Sequence, residues 1–331
     1  LLVAFGLAVF TIIFGTRNLN SNERHHGVVM AIAVEAVVKL LALLSVGIFV
    51  VWGLADGPAD MLTRIDNSQI AGWEIQPSRW AGLIVTSAAA ILCLPRMFQV
   101  IVVENDDEAH LASASWAFPL YLCLMSLFVV PIAVVGLAEM PGGANPDLFV
   151  LTLPLKEHWV GLAVFAFLGG FSSATSMVIV AALALATMVS NHIVMPFYLS
   201  RQKDGATMAG DVRRVVLLAR RFSIGGVLLL GYVYYRFSGG SAALASIGLI
   251  SFVGVIQVLP ALLGGLFWRG GTRAGAAAGL LTGFVVWGYT LFLPSFGMAG
   301  PFGAEMMADG PLGISWLRPQ ALFGISGMDP L

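Results

Sequence analysis

Seven apolar stretches, each long enough to cross a lipid bilayer, dominate the chain. A membrane-spanning helix needs about 20 apolar residues, because each residue adds about 1.5 Å along a hydrocarbon core about 30 Å thick. The stretches lie at 27–53, 80–102, 112–138, 159–189, 213–236, 241–268 and 274–294. Residues 1–14 are apolar too, and we expect them to be the end of an eighth helix that begins before Leu1. The pattern predicts an all-α polytopic membrane protein.

The composition agrees with a chain that lies mostly in lipid. Charged residues make up 11% of the 331 residues and hydrophobic residues 58%, whereas soluble domains carry about 25% charged residues. This composition excludes a disordered chain and a nucleic-acid binder, and the lipid bilayer is the first partner to expect. The cysteines, Cys93 and Cys123, have neither disulfide nor metal-ligand spacing. The sequence carries no phosphate-binding loop or nucleophile elbow, so we expect no enzyme activity and no cofactor in this segment.

The basic residues of the loops give an orientation, since cytoplasmic loops of membrane proteins are enriched in Lys and Arg. The richer of the two alternating sets of loops contains Arg17, Arg24, Arg201, Lys203, Arg213, Arg214, Arg220, Arg221, Arg269 and Arg273. We assign this set to the cytoplasm, together with the acidic loop at 103–111, because acidic residues count little in the rule. The stretch 27–53 then runs outward, and residues 295–331 form an external loop.

Small and hydroxyl residues interrupt the apolar stretch at 159–189. Ser172 and Ser176 lie one turn apart on one helix face, and Ser173 lies about 100° from Ser172 around the axis. Helix packing explains such a cluster, since small residues let helices approach and hydroxyls bond back to carbonyls of the preceding turn. A sodium site is the alternative, because hard cations prefer oxygen ligands and a carbonyl near Gly169 would supply another.

A proline divides the stretch at 80–102. Pro95 lacks a backbone donor and clashes with the preceding turn, so we expect the helix to kink or break there. Arg96 follows directly, between Cys93 and Phe98. A broken helix in a transporter exposes backbone groups that hold substrate or ion. A simple kink, with Arg96 extended towards the inner membrane surface, explains the same residues.

Three more polar residues lie inside apolar stretches. Glu35 and Lys39 are four residues apart, so they are expected to form an intramembrane ion pair, either structural or as a gate. Each alone would cost about 2.5–3.5 kcal/mol at the bilayer centre on insertion scales. Gln257 is followed by Pro260, and this arrangement suits either a cavity lining or an interhelical hydrogen bond.

Three stretches together resemble the sodium/solute symporter family, whose members have the LeuT-type inverted repeat. Residues 169–176 look like the family's ion-site helix, and 260–279 look like its long Pro…Leu-x-Trp…Gly-Ala…Gly signature. Leu94-Pro95-Arg96 falls where the broken first helix of the second repeat often carries Gln-Pro-His. The resemblance implies a partial LeuT-type bundle: the end of the first repeat, all of the second and one further helix. The first-repeat part of each site would precede Leu1.

The resemblance also implies roles for individual residues. Gly169, Ser172 and Ser173 would bind sodium, the coupling ion, while substrate or a gate would face Cys93, Pro95, Arg96, Phe98 and Gln257. The segments at 14–25 and 94–111 resemble a subgroup, the bacterial sensor histidine kinases with a symporter-like domain. That subgroup implies a bacterial inner-membrane protein, much longer than 331 residues, with cytoplasmic kinase modules in the same polypeptide.

Two functions are therefore expected. The first is sodium-coupled symport of a small organic solute, such as an amino acid, by alternating access. The alternative is a non-transporting, solute-sensing input domain of a membrane sensor histidine kinase.

Overall fold

The computed structural model describes residues 2–15, 26–72, 77–105, 107–201, 209–238, 244–296 and 309–324, and every regular element in these ranges is helical. Six helices there are long and apolar enough to cross a membrane: Val29–Leu54, Ala109–Glu139, Val160–Arg201, Val212–Phe237, Ala245–Phe267 and Arg273–Phe296. The chain is thus an all-α, multi-pass membrane protein, and the predicted fold class is confirmed at this level. Residues Arg17, Arg24 and Lys203, with most of 14–25 and parts of 295–331, lie outside the described residues.

The spans are assembled from shorter helices and turns. The α-helices are α1 (Leu2–Gly15), α2 (His26–Phe49), α3 (Pro58–Asp66), α4 (Pro77–Cys93), α5 (Pro95–Phe98), α6 (Ala109–Ser126), α7 (Val129–Glu139), α8 (Phe149–Lys156), α9 (Val160–Val189), α10 (Met195–Arg201), α11 (Ala209–Phe237), α12 (Leu244–Ile256), α13 (Leu259–Phe267) and α14 (Arg273–Trp287). Single π-helical turns continue α2, α5, α9 and α14, at Val50–Leu54, Gln99–Val103, Ser190–Val194 and Gly288–Phe292.

The break expected at Pro95 is present. The helical segments Pro77–Cys93 and Pro95–Val103 are bent by 54° relative to each other, with Leu94 between them. The Leu94 N–H still donates to the Ala90 carbonyl, at 2.9 Å, and the Leu94 carbonyl accepts from Phe98, at 3.0 Å. Because Pro95 has no N–H and its ring clashes with the turn before it, the first helix ends there and a second begins in a new direction.

Internal contacts divide the chain into two compact units. The first unit contains Leu1–Arg17, Pro77–Phe98 and Ala182–Leu331, and the second contains Asn18–Gln76 and Gln99–Ala181.

The core of the second unit is formed by α2, α7 and α8. Val46 and Val50 on the α2 side pack with Val135 of α7 and with Phe149 and Leu153 of α8, and all five side chains are buried. Residues 149–156 lie between two predicted spans, outside every stretch predicted to be helical. They form a short helix, α8, whose Phe149 and Leu153 side chains fill the core and whose Lys156 pairs with Glu139, at 2.9 Å.

Short amphipathic α3 is a second element that the apolar pattern does not reveal. It buries Met61 in the second unit's core, while the Arg64 guanidinium donates to the Asp60 carboxylate at 2.7 Å on its outer side. That hydrogen bond to Arg64 lowers the pKa of Asp60. At nine residues, the helix is too short to read as a span.

The core of the first unit is small and rich in alanine. Ala182 and Ala186 pack against Ile224 of α11, with Ile12 of α1 and Leu228 beside them. An aromatic cluster lies at the end of α14: the Trp287 indole donates to the Ile250 carbonyl at 2.9 Å, and Tyr234 donates to Ser295 at 3.1 Å. The described part of the 295–331 segment contains short 3₁₀ turns, and the Leu317 carbonyl accepts a hydrogen bond from Tyr289.

Glycine lets large rings rest directly on helix backbones in the second unit. A Cβ built on Gly136 of α7 would overlap the ring of Phe149, and one on Gly47 of α2 would overlap the ring of Phe128. In lipid, where the hydrophobic effect gives little attraction between helices, such close contacts carry much of the packing energy.

We therefore expect the substitution Gly136→Ala to lower the free energy of unfolding by about 1–3 kcal/mol, because the new methyl group overpacks the site against Phe149. Thermal unfolding of the purified protein in detergent measures the change. The matched control is Gly161→Ala in α9, where a Cβ meets no atom within 4 Å, and it should leave the midpoint unchanged or raise it slightly. Equal midpoints for the two variants would contradict the role assigned to this contact.

Candidate functional site: the crossing of helices α2 and α9

Helices α2 and α9 pack antiparallel in the second unit. The rings of Phe49 and Trp159 are 5.3 Å apart, whereas Gly169, ten residues further along α9, contacts Lys39 and Ala42. The residue numbers of the contacting residues therefore decrease along α2 as they increase along α9, as in an antiparallel pair. We call the contact of Gly169 with Lys39 and Ala42 the α2–α9 crossing.

Gly169 is required at the crossing. A Cβ at this position would lie 2.7 Å from the Ala42 Cβ and 3.4 Å from the Lys39 Cα. The second atom belongs to the backbone and cannot move without shifting the whole helix. Because Gly169 has no side chain, the two backbones can approach each other closely. The Val38 carbonyl oxygen lies 3.7 Å from the position that a Cβ on Gly169 would occupy, so it lies beside α9.

The hydroxyl residues beyond Gly169 are not equivalent. Thr175 donates to the Ser172 carbonyl at 2.8 Å and Ser176 to the Ser173 carbonyl at 3.2 Å, so packing and back-bonding explain both of them. Ser172 and Ser173 are half-buried, while Phe171 is exposed. The Ser172 Oγ is buried and has no hydrogen-bond partner in the part of the chain that the structure describes.

The predicted Glu35–Lys39 ion pair is not formed. Among the described residues, Lys39 makes no ion pair, and the Glu35 Oε2 is buried without a hydrogen-bond partner. A four-residue spacing puts both side chains on one helix face, but an ion pair also needs both long side chains to extend towards each other. Here one carboxylate oxygen of Glu35 faces a buried position instead.

Glu35 belongs to the face of α2 that packs against α9. Positions 35, 39, 42, 46 and 49 follow one another at three- or four-residue intervals and form a single stripe. Ser172 follows Gly169 by three residues on α9, and Glu35 precedes Lys39 by four residues on α2. Because the helices run antiparallel, both residues lie on the same side of the crossing. Each has a buried oxygen without a hydrogen-bond partner among the residues that the structure describes.

Neither α9 nor α6, as the structure describes them, carries a lysine or an arginine. Helix α9 offers only hydroxyls, and α6 offers Tyr121, whose hydroxyl donates to the Ala36 carbonyl at 3.2 Å. Sequence reasoning missed this tyrosine, although a polar tip in an apolar stretch signals a hydrogen bond. Within the described ranges, no group of three or more His, Cys, Asp or Glu residues could hold a metal ion. Carboxylate and hydroxyl oxygens, such as those of Glu35 and Ser172, are the ligand type that hard cations prefer.

The residues predicted to face substrate lie in the first unit, around the break at Leu94. Cys93, Pro95 and Arg96 are half-buried, and Phe98 is more than half exposed. The Arg96 Nε is buried and has no hydrogen-bond partner among the residues described. A guanidinium with an unused donor beside a helix break is suited to bind a carboxylate, which accepts two parallel hydrogen bonds from arginine.

Gln257 also lies in the first unit, between α12 and α13. Its Nε2 donates to the Val253 carbonyl at 3.0 Å, and its Oε1 lies 2.5 Å from the point where a Cβ on Gly283 of α14 would be. The amide therefore packs against α14. It also borders an open groove of about 540 Å³ between α13 and α14.

One buried polar atom was not singled out from the sequence. The Ser190 hydroxyl lies in the π-helical turn that continues α9, is fully buried, and has no hydrogen-bond partner within the described ranges. In the sequence, Ser190 is simply a serine at the end of a long apolar run, which is a common arrangement. Only the π-helical turn makes the position unusual, and the sequence pattern does not predict that turn.

Comparison of the chain with protein-family models, with curated proteins and with solved structures finds no match. The function must therefore be argued from the residues themselves.

Proposed function

We propose that this chain is part of a sodium-coupled symporter with a partial LeuT-type bundle in a bacterial inner membrane, which takes up a small organic solute, such as an amino acid, by alternating access. The observation that carries the proposal is the buried Ser172 hydroxyl, which has no hydrogen-bond partner among the described residues and lies one turn beyond the close contact of Gly169 with α2. A buried hydroxyl without a partner costs about 1–3 kcal/mol. A bound cation offsets that cost, because the hydroxyl oxygen then coordinates the ion.

Sodium is the cargo that best fits these atoms. Ser172 and Ser173 offer neutral hydroxyl oxygens, and the backbone near Gly169 offers carbonyl oxygens, which replace the water around a small hard cation. Sodium bound here would favour the state open to the outside, in which solute also binds, and release of both to the inside would reset the bundle.

Arg96 suggests the class of solute. Its Nε is an unused donor at a helix break, and a carboxylate is the group that a guanidinium binds best. An amino acid carries such a carboxylate, and its binding would neutralise the arginine inside the membrane. The proposed solute is therefore a small molecule with a carboxylate group.

A solute-sensing input domain of a sensor histidine kinase is the second candidate. The observation behind it is the acidic loop before α6: the Gln99 amide donates to Glu104 at 3.1 Å, while Asp107 and Glu108 remain exposed. An anchored loop with exposed carboxylates would suit contact with a cytoplasmic kinase module in the same polypeptide. A local turn before α6, in which the Asp107 carboxylate accepts from the Ala109 N–H at 2.9 Å, explains part of the same arrangement.

Removal of the hydroxyls should weaken sodium coupling. In proteoliposomes that contain the full-length protein and a panel of labelled amino acids, we expect Ser172→Ala to raise the half-saturating sodium concentration about 10- to 100-fold, because a polar contact to an ion is lost. Ser173→Ala should act in the same direction. Ser176→Ala is the control, since its hydroxyl is already bonded to the Ser173 carbonyl. Sodium-independent uptake by the wild type, or unchanged sodium dependence in the double alanine variant, would contradict the proposal.

Replacement of Arg96 should affect the solute and not sodium. We expect Arg96→Gln to raise KM for a transported amino acid at least about ten-fold, because a charge-assisted contact is lost, and Arg96→Lys to restore part of the affinity. Arg236→Gln, at an exposed arginine of α11, serves as the charge-matched control. If the amine analogue without a carboxylate inhibits uptake as well as the amino acid does, Arg96 does not bind a carboxylate.

Sealed vesicles distinguish the two candidate functions. With purified full-length protein and an inward sodium gradient, a symporter accumulates labelled solute above the external concentration, and collapse of the gradient with a sodium ionophore abolishes the accumulation. Solute that binds to the protein but never accumulates would favour the sensing domain.

A further inference from the structure

Lys39 lies at the α2–α9 crossing itself. Its Cα is the backbone atom that the missing side chain of Gly169 allows to approach, and it lies between Ala42 and Glu35 on the stripe of α2 that packs against α9. The lysine side chain is half-buried, and it forms no ion pair or hydrogen bond with any residue that the structure describes. A lysine side chain is thus attached to the edge of the proposed cation site.

The oxygens nearest in register to this lysine also lack partners. The Glu35 carboxylate is one turn away along α2, and the Ser172 hydroxyl is one turn beyond Gly169 along α9, on the same side of the crossing. Each has one buried oxygen without a hydrogen-bond partner among the described residues. The four-carbon stem of a lysine spans one helical turn, as the common four-residue ion pairs of helices show. The stem is therefore long enough for a change of rotamer to bring the Lys39 ammonium to the Glu35 carboxylate on the same helix face.

We propose that Lys39 is a tethered competitor of the coupling cation, so that its ammonium group and sodium occupy the oxygens of Glu35 and Ser172 by turns. The inference rests on the proposed function, and it adds Glu35 to the sodium ligands. Two positive charges a few ångströms apart repel each other strongly in a medium of low dielectric constant, so the two occupants exclude each other. Sodium must therefore displace the ammonium to bind.

In the proposed competition, Lys39 supplies a positive charge that balances Glu35 when the carrier holds no sodium. When sodium leaves to the inside, Glu35 would remain as an unpaired carboxylate within the membrane, and an unpaired charge opposes the return of the bundle through its closed state. Lys39 moves onto Glu35 at that point and neutralises it. The cost is a weaker sodium affinity, because each sodium ion has to break the Lys39–Glu35 contact first.

The experiment measures sodium binding apart from transport. The full-length protein is purified, and its thermal midpoint is followed as NaCl replaces choline chloride at constant ionic strength, since a bound ion stabilises the folded state. We expect Lys39→Met and Lys39→Gln to lower the half-saturating sodium concentration about ten-fold or more, because the competitor is removed. Lys39→Arg, which keeps the charge, should remain close to wild type. The control is Lys156→Met, an exposed lysine of the same unit that pairs with Glu139, and it should not change sodium binding.

Glu35→Gln provides an independent arm should a lysine variant fail to fold. Without the carboxylate, the half-saturating sodium concentration should rise about ten-fold or more, in the direction opposite to Lys39→Met. A gain of sodium binding in Lys39→Met when the wild type shows little supports the competition. Sodium binding that is the same in wild type, Lys39→Met and Lys39→Gln overturns the inference but leaves sodium coupling intact. No sodium effect in wild type or either lysine variant overturns both the inference and the proposed function.

Discussion

The close approach of two backbones at Gly169 is the constraint on which the candidate site depends. Because Gly169 has no Cβ, α2 and α9 meet at a distance that no other residue would permit, with the Lys39 backbone against α9. Helices in a membrane gain little from the hydrophobic effect on association, so van der Waals contact of this kind fixes their relative position. The position of Glu35 and Ser172 on one side of the crossing follows from that contact and from the antiparallel register. A displacement of either helix by one turn would separate them.

Buried polar atoms without hydrogen-bond partners are more costly in a membrane protein than in a soluble one. In a soluble protein, water satisfies a donor or acceptor that the protein leaves free, but the hydrocarbon core contains none. The described spans nevertheless hold buried, unpartnered polar atoms on Glu35 and Ser172 in the second unit, and on Arg96 and Ser190 in the first. Each must be met by an ion, a solute, an ordered water or more of the polypeptide. Their chemistry differs between the units: oxygens that suit a cation in one, and a guanidinium that suits an anion near a helix break in the other.

The sequence predicts those features that depend on composition and on covalent backbone chemistry. Apolar length is sufficient to place the spans, and the missing N–H of Pro95 is sufficient to predict the break at Leu94. Helices α3 and α8 escape prediction because a helix of eight or nine residues leaves too short a hydrophobic pattern. The state of individual side chains escapes it too, since rotamers are set by neighbours far away in the chain. Four-residue spacing predicts a Glu35–Lys39 pair that the structure does not form, and spacing alone cannot tell the free hydroxyl of Ser172 from the bonded hydroxyl of Ser176.

A cation site by itself does not distinguish transport from sensing, since both need only that the ion prefer one conformation. The difference lies in what happens after the ion leaves. A carrier must return empty through a closed state in every cycle, and a bare carboxylate in the bilayer would make that return slow. A receptor equilibrates with its ligand and has no such step, so an internal counter-ion would only weaken its binding. Under the proposed competition, Lys39, half-buried at the crossing and one turn from Glu35, would weaken sodium binding and assist an empty return. That combination would be useful to a symporter and costly to a sensor, and it supports the proposal of transport.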